Sequence, residues 1–197
     1  MITAIDKNTA LVLIDLQKGI MKSPVLHPIK DILEKSAQLV DAFRKEGLPI
    51  VYVNVVPSIG GWIQARKDNN AARNFSAMTS SDFAEIVDEV KALSTDIFVT
   101  KGTWNAFYNT PLHDELQKRN ITGIVLVGVS TSAGVEGTAR AASERGYNVS
   151  FAVDAITDTN PEAHLNSIKN IYPRLGEQGM VADIIEKLSD RVEVSSK

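Results

Sequence analysis

Three stretches of this sequence carry side chains that could do chemistry, and each sits where an apolar run stops. Residues 10–15, Ala-Leu-Val-Leu-Ile-Asp, end in the carboxylate of Asp15, with Leu16 and Gln17 following. Residues 96–101, Asp-Ile-Phe-Val-Thr-Lys, end in the ammonium of Lys101. Residues 129–134, Val-Ser-Thr-Ser-Ala-Gly, present the hydroxyls of Ser130, Thr131 and Ser132 and the bare backbone of Gly134. A charge at the end of a strand is commonly solvated, and an acid there can simply cap or tie down the next loop. Converging on one turn, the two charges have a sharper use: a lysine can hold a neighbouring carboxylate, or that of a substrate, and set its protonation. The Gly134 amide, at the start of a helix, is suited to an oxygen atom or a carboxylate.

The elements that must position these groups read as alternating strands and helices. Buried strands are expected at residues 10–15, 50–55, 96–101, 122–128 and 147–153, from their short apolar, β-branched runs. Helices are expected at about 29–46, with Ile32, Leu33, Leu39, Val40 and Phe43 inward, and at 81–93, 110–119, 135–145, 161–173 and 180–188. Asp154, Asp158 and Asn160 are available to cap the helix near Pro161. His164 on that helix reads as a surface or packing histidine. The pattern predicts a three-layer α/β/α sandwich with a largely parallel, Rossmann-like sheet, as one domain over residues 1–197. In such sheets ligands bind beyond the carboxyl ends of the strands, where the 129–134 turn lies.

Residues 56–82 are the irregular part, with two glycines beside Trp62 and a polar run after Ile63. A segment of that length reads as a lid, binding loop, oligomer arm or plain surface loop. Trp62 and Ile63, apolar in an otherwise polar loop, are candidates for a partner surface. Trp104, Phe107 and Tyr108, after the Lys101 strand, are candidates to line an apolar pocket, with packing beneath the loop as their competing role.

Composition narrows the chemistry. There is no cysteine among the 197 residues, which removes disulfides, thiolate metal sites and a thiol nucleophile. The net charge of −3 argues against a nonspecific nucleic-acid surface. No apolar run approaches a membrane span and the N-terminus lacks signal-peptide order, so a soluble cytoplasmic protein is expected.

Three pieces in this order resemble the isochorismatase-like hydrolase family. They are Leu11-Val-Leu-Ile-Asp-Leu-Gln17, Thr100-Lys-Gly-Thr-Trp-Asn-Ala-Phe-Tyr-Asn-Thr-Pro-Leu112 and Gly128-Val-Ser-Thr-Ser-Ala-Gly-Val-Glu-Gly-Thr-Ala-Arg140. The family works with an aspartate, a lysine and a cysteine. The resemblance puts Asp15 and Lys101 at the first two positions and Gly134 at the third. It also implies substrate contacts from Gln17, Trp62, Trp104, Phe107, Ser130 and Thr131, a cis peptide at Val129–Ser130, and a homo-oligomer of at least two subunits. No cofactor is implied. The metal pair of nicotinamidases has no counterpart in Tyr52-Val-Asn-Val-Val-Pro57. Without a thiolate, the acyl-enzyme route of the amidases is closed. What the resemblance then implies is vinyl-ether hydrolysis of isochorismate or an analogue, with Asp15 as general acid. The alternatives are another small-molecule hydrolysis with water activated by Asp15, and a non-catalytic binding or structural oligomer.

Overall fold

The computed structural model describes residues 1–56 and 80–193. Its centre is β1 (Thr9–Ile14), in which every residue is buried. Such a run has no solvent face, so it can only be an inner strand. It pairs on one side with β2 (Ile50–Val55) and on the other with β4 (Gly123–Val129). Beyond β2 lies β3 (Ile97–Lys101); beyond β4 lie β5 (Asn148–Thr157) and β6 (Glu177–Gly179). The order is β3-β2-β1-β4-β5-β6 and every pairing is parallel.

Alternation along the strands feeds two cores. Leu11 and Leu13 of β1, with Val125, Val127 and Val129 of β4, face α2 (Ile29–Lys45) and α6 (Val181–Leu188). Ala10, Val12, Ile14, Ile124 and Leu126 face the other side, against α3 (Leu112–Gln117) and α4 (Glu136–Glu144). The predicted sandwich is therefore the observed fold. A short α1 (Lys18–Met21) follows β1, and α5 (Pro161–Asn166) follows β5.

Three expectations are corrected. The helix anticipated at 81–93 is a chain of turns ending in a 3₁₀ turn at Asp88–Val90. Its carbonyls are drawn elsewhere: that of Phe83 takes the Gly19 amide and the Gln17 side chain, Glu85 takes the Lys18 amide, Ala84 takes Asn54 and Val90 takes the Tyr52 hydroxyl. With those acceptors committed, an i to i+4 ladder cannot form. A sixth strand, β6, was not anticipated, because Glu-Gln-Gly has no apolar pattern and pairs over three residues only. β5 continues past residue 153 through an irregularity opposite Leu126–Gly128, so Asp154 lies within the strand. Asp154 accepts from the Val181 amide and thus caps α6, while α5 is capped by Asn160.

Candidate active site

The order of the sheet reverses between β1 and β4, which is where a doubly wound sheet opens a crevice beyond its carboxyl edge. The chain can close so tightly there because residue 128 is glycine. Its φ is +119°, and a Cβ would stand 2.1 Å from the Ile14 carbonyl oxygen.

Asp15 leaves the end of β1 with φ 54°, in the left-handed region. That conformation is uncommon for a residue with a side chain, although aspartate tolerates it better than most. Its amide is held by the Val53 carbonyl at 2.9 Å. Lys101, from the end of β3, reaches across β2 to place Nζ 2.8 Å from Asp15 Oδ2. Lys101 is 1% exposed and Asp15 6%. The ammonium also donates to the Trp104 carbonyl at 2.9 Å. Asp15 Oδ1 is buried and has no hydrogen-bond partner among the described residues. Burial pushes the Asp15 carboxyl above its ordinary value, against the opposing pull of Lys101 through its charge and its hydrogen bond.

Gly134 completes the constellation. A Cβ placed on it would lie 3.1 Å from Asp15 Oδ2, 3.1 Å from Lys101 Nζ and 2.9 Å from Ile14 Cγ2. A Cβ at 134 would thus sit tight against the charge pair. Gly134 belongs to a π-type turn, Thr131–Val135, entered through a cis peptide at Val129–Ser130 and continuing into α4. The Ser130 carbonyl accepts from the amides of Ala133 and Val135.

The other candidates separate. Trp104 is 47% exposed beside the pair, with Gly137 of α4 packed on its Cβ side. Phe107 is buried away from the cleft, stacked on Tyr147 and under the Arg145 guanidinium, so it packs rather than lines. Gln17 is fully buried: its amide nitrogen donates to the Val55 and Phe83 carbonyls and its oxygen accepts from the Val55 amide. That makes it a tie between β1, β2 and the 83–87 segment, with no donor left for a substrate. The Thr131 hydroxyl is turned inward, 2.8 Å from His164 Nδ1, so Thr131 meets the cleft through its backbone alone. Trp62 lies outside the described residues.

Asp158 and Tyr172 escaped notice as parts of this arrangement. The sequence marks Asp158 as a cap for the helix after it, yet it reaches back to Ser132. Tyr172 donates to the Thr131 carbonyl from 41 residues away. No local spacing encodes either contact. Burial and then His27 push His164 below the usual histidine value, against Asp158.

An Isochorismatase domain model matches residues 9–183. The chain belongs to the isochorismatase family. It is 36% identical over 182 residues to the uncharacterized isochorismatase family protein YwoC of Bacillus subtilis, covering 92% of this chain and 95% of that one. It is 26% identical over 170 residues to nicotinamidase 3 of Arabidopsis thaliana, covering 84% and 81%. Among solved structures, an isochorismatase family protein of Burkholderia thailandensis superposes with a TM-score of 0.86 at 33% identity, over 96% of this chain and all of that one. Members of this family are hydrolases. Among the described residues, no group of three or more His, Cys, Asp or Glu side chains is placed to hold a metal ion, and no helix is long and apolar enough to cross a membrane.

Proposed function

We propose that this protein hydrolyses a vinyl ether, isochorismate or an analogue, with Asp15 as general acid and no covalent intermediate. The observation that carries this reading is the state of the Asp15 carboxyl. One oxygen is bound to Lys101 and the other is buried without a partner among the described residues. A carboxyl held this way favours the neutral form more than a solvated one does, and the bare Oδ1 is the atom to carry the proton. The proton passes to the terminal carbon of the enol ether, leaving an oxocarbenium ion. Water adds to that cation and returns a proton to the Asp15 carboxylate. The hemiketal then collapses: its hydroxyl proton passes to the leaving oxygen as the C–O bond breaks, giving a keto acid and an alcohol. Lys101 stabilises Asp15 as it becomes anionic and draws a substrate carboxylate into the cleft. The backbone around Gly134 serves the same carboxylate or the leaving oxygen.

Amide hydrolysis, the activity that the nicotinamidase relative's name suggests, is the less favoured chemistry, since the chain holds no cysteine to form an acyl-enzyme. A second reading is a binding member without turnover. The tight ion pair over Gly134 favours it, because even the first carbon of a side chain there would crowd the pair. Isochorismate turnover by the wild type beside Asp15→Asn separates the two. The proposal expects product from the wild type and little from the variant; binding of isochorismate without product by either establishes the second reading.

A further inference from the structure

The 129–135 turn is held from outside by one charged residue. The Asp158 carboxylate is 3% exposed and accepts four hydrogen bonds. Oδ2 takes the Ser132 amide at 2.7 Å and its hydroxyl at 2.8 Å; Oδ1 takes the amides of Thr159 at 2.7 Å and Asn160 at 3.1 Å. Two neutral groups grip the preceding residue: His164 meets the Thr131 hydroxyl and Tyr172 donates to the Thr131 carbonyl. Ser132 stands two residues before Gly134, within the same turn. The backbone on which Gly134 faces Asp15 and Lys101 therefore rests on a carboxylate that never touches the charge pair.

We infer that Asp158 is a positioning residue of the site: it sets the distance of Gly134 from the Asp15–Lys101 pair, and so the protonation of Asp15. This rests on reading that pair and Gly134 as the site. All four partners of Asp158 are donors, and its two oxygens both accept. In Asp158→Asn one oxygen becomes an NH2 group, which can accept from neither pair of donors, so one set loses its backbone anchor; on the Ser132 side only the hydroxyl, by turning to accept, could keep a bond. The Thr159 and Asn160 amides are adjacent in sequence and hold the remaining oxygen. The Ser132 amide is then released, and the turn shifts against the ion pair.

The test reads Asp15 directly and needs no substrate, so failure of the vinyl-ether reading leaves it intact. The titration of Asp15 is followed at the Gly134 amide by ¹H–¹⁵N NMR in wild type, Asp158→Asn, Ser132→Ala and Asp6→Asn. Asp6 is a buried carboxylate on the opposite edge of the sheet and controls for general destabilisation. Besides the Asp15–Lys101 pair, the titratable groups beside the turn are Asp158 itself, Glu136, Tyr172, His164 and His27, and their own resonances are followed to separate their steps. The expected result is a midpoint displaced by about half a pH unit or more in Asp158→Asn, roughly threefold in proton affinity. Ser132→Ala should move it less in the same direction, and Asp6→Asn not at all. A folded Asp158→Asn with the wild-type midpoint overturns the inference, as does an equal shift in Asp6→Asn. If Asp158→Asn does not fold, Ser132→Ala decides, and an unmoved midpoint there overturns it.

Discussion

Two aspartates mark the opposite edges of the sheet, and they are almost equally buried: Asp15 at 6% exposed and Asp6 at 8%. Asp6, at the amino edge, is fully answered. Asn148 Nδ2 lies 3.1 and 3.0 Å from its two oxygens, and the Thr122 hydroxyl donates to Oδ2 at 2.7 Å. All its partners are neutral, and it ties the N-terminal arm to β4 and β5. Asp15 has a cation on one oxygen and, among the described residues, no hydrogen-bond partner on the other. Burial of an acid is thus not the mark of a site. What sets Asp15 apart as a candidate is a carboxyl left short of partners at the carboxyl edge of the sheet, because a buried group without a hydrogen bond costs stability that a purely structural residue has no reason to carry.

Substitutions at the two edges can break that contrast. The largest effect belongs to Asp15→Asn, which removes the transferable proton while keeping shape. Turnover of isochorismate should fall by about 10²–10⁴-fold, the usual share of general acid catalysis, whereas Asp6→Asn should leave it unchanged. Steady-state rates of both variants beside wild type check this, and equal losses would erase the distinction.

Lys101→Met removes the one charge that, among the described residues, pulls on Asp15, and leaves the acid in an apolar setting. At pH 8 this should cost about 3–5 kcal/mol, the range for a buried pair broken on one side. At pH 5 the cost should be smaller, because the lone carboxyl takes up a proton. Urea denaturation at the two pH values measures the difference; an identical cost at both would mean that Asp15 is not under desolvation.

Gly134→Ala probes the closeness of the turn. Its new methyl would meet Asp15, Lys101 and Ile14 at 2.9–3.1 Å, so the pair must part or the turn must retreat. The expected cost is about 1–3 kcal/mol, as for overpacking a filled core. A Tm equal to the wild type would show that the end of the lysine side chain yields freely.

The smallest effect is the pH dependence of Asp15 itself. Its folded pKa is raised above the ordinary 3.8, so the folded chain binds more protons than the unfolded chain between those two values. The stability this contributes is present below 3.8 and is lost as pH rises through the folded value. The Tm of wild type minus that of the non-titrating Asp15→Asn should therefore fall as pH rises across that window. A difference that grows instead would place Lys101 above desolvation.

The layers, five of the strands and the residues of the candidate site are legible in the sequence. A strand buried on both faces must be continuously apolar, and a helix over a core must repeat its apolar positions near every 3.6 residues, so β1, β4 and α2 are written locally. Asp15, Lys101 and Gly134 were legible for the same reason: each terminates or follows such a run, and a parallel sheet sends all its carboxyl ends to one edge. The tertiary structure decided what those residues touch. Residues 81–93 look helical until the Gln17, Asn54 and Tyr52 side chains and the amides after β1 claim their carbonyls. Phe107 and Thr131 have the composition of cleft residues and turn inward, because Tyr147 and His164 wait behind them in the fold. Asp158 carries the signature of a local cap and spends one oxygen on Ser132, 26 residues earlier. A hydrogen-bond partner of that kind is chosen by where the chain returns in space, and no periodicity along the sequence records it.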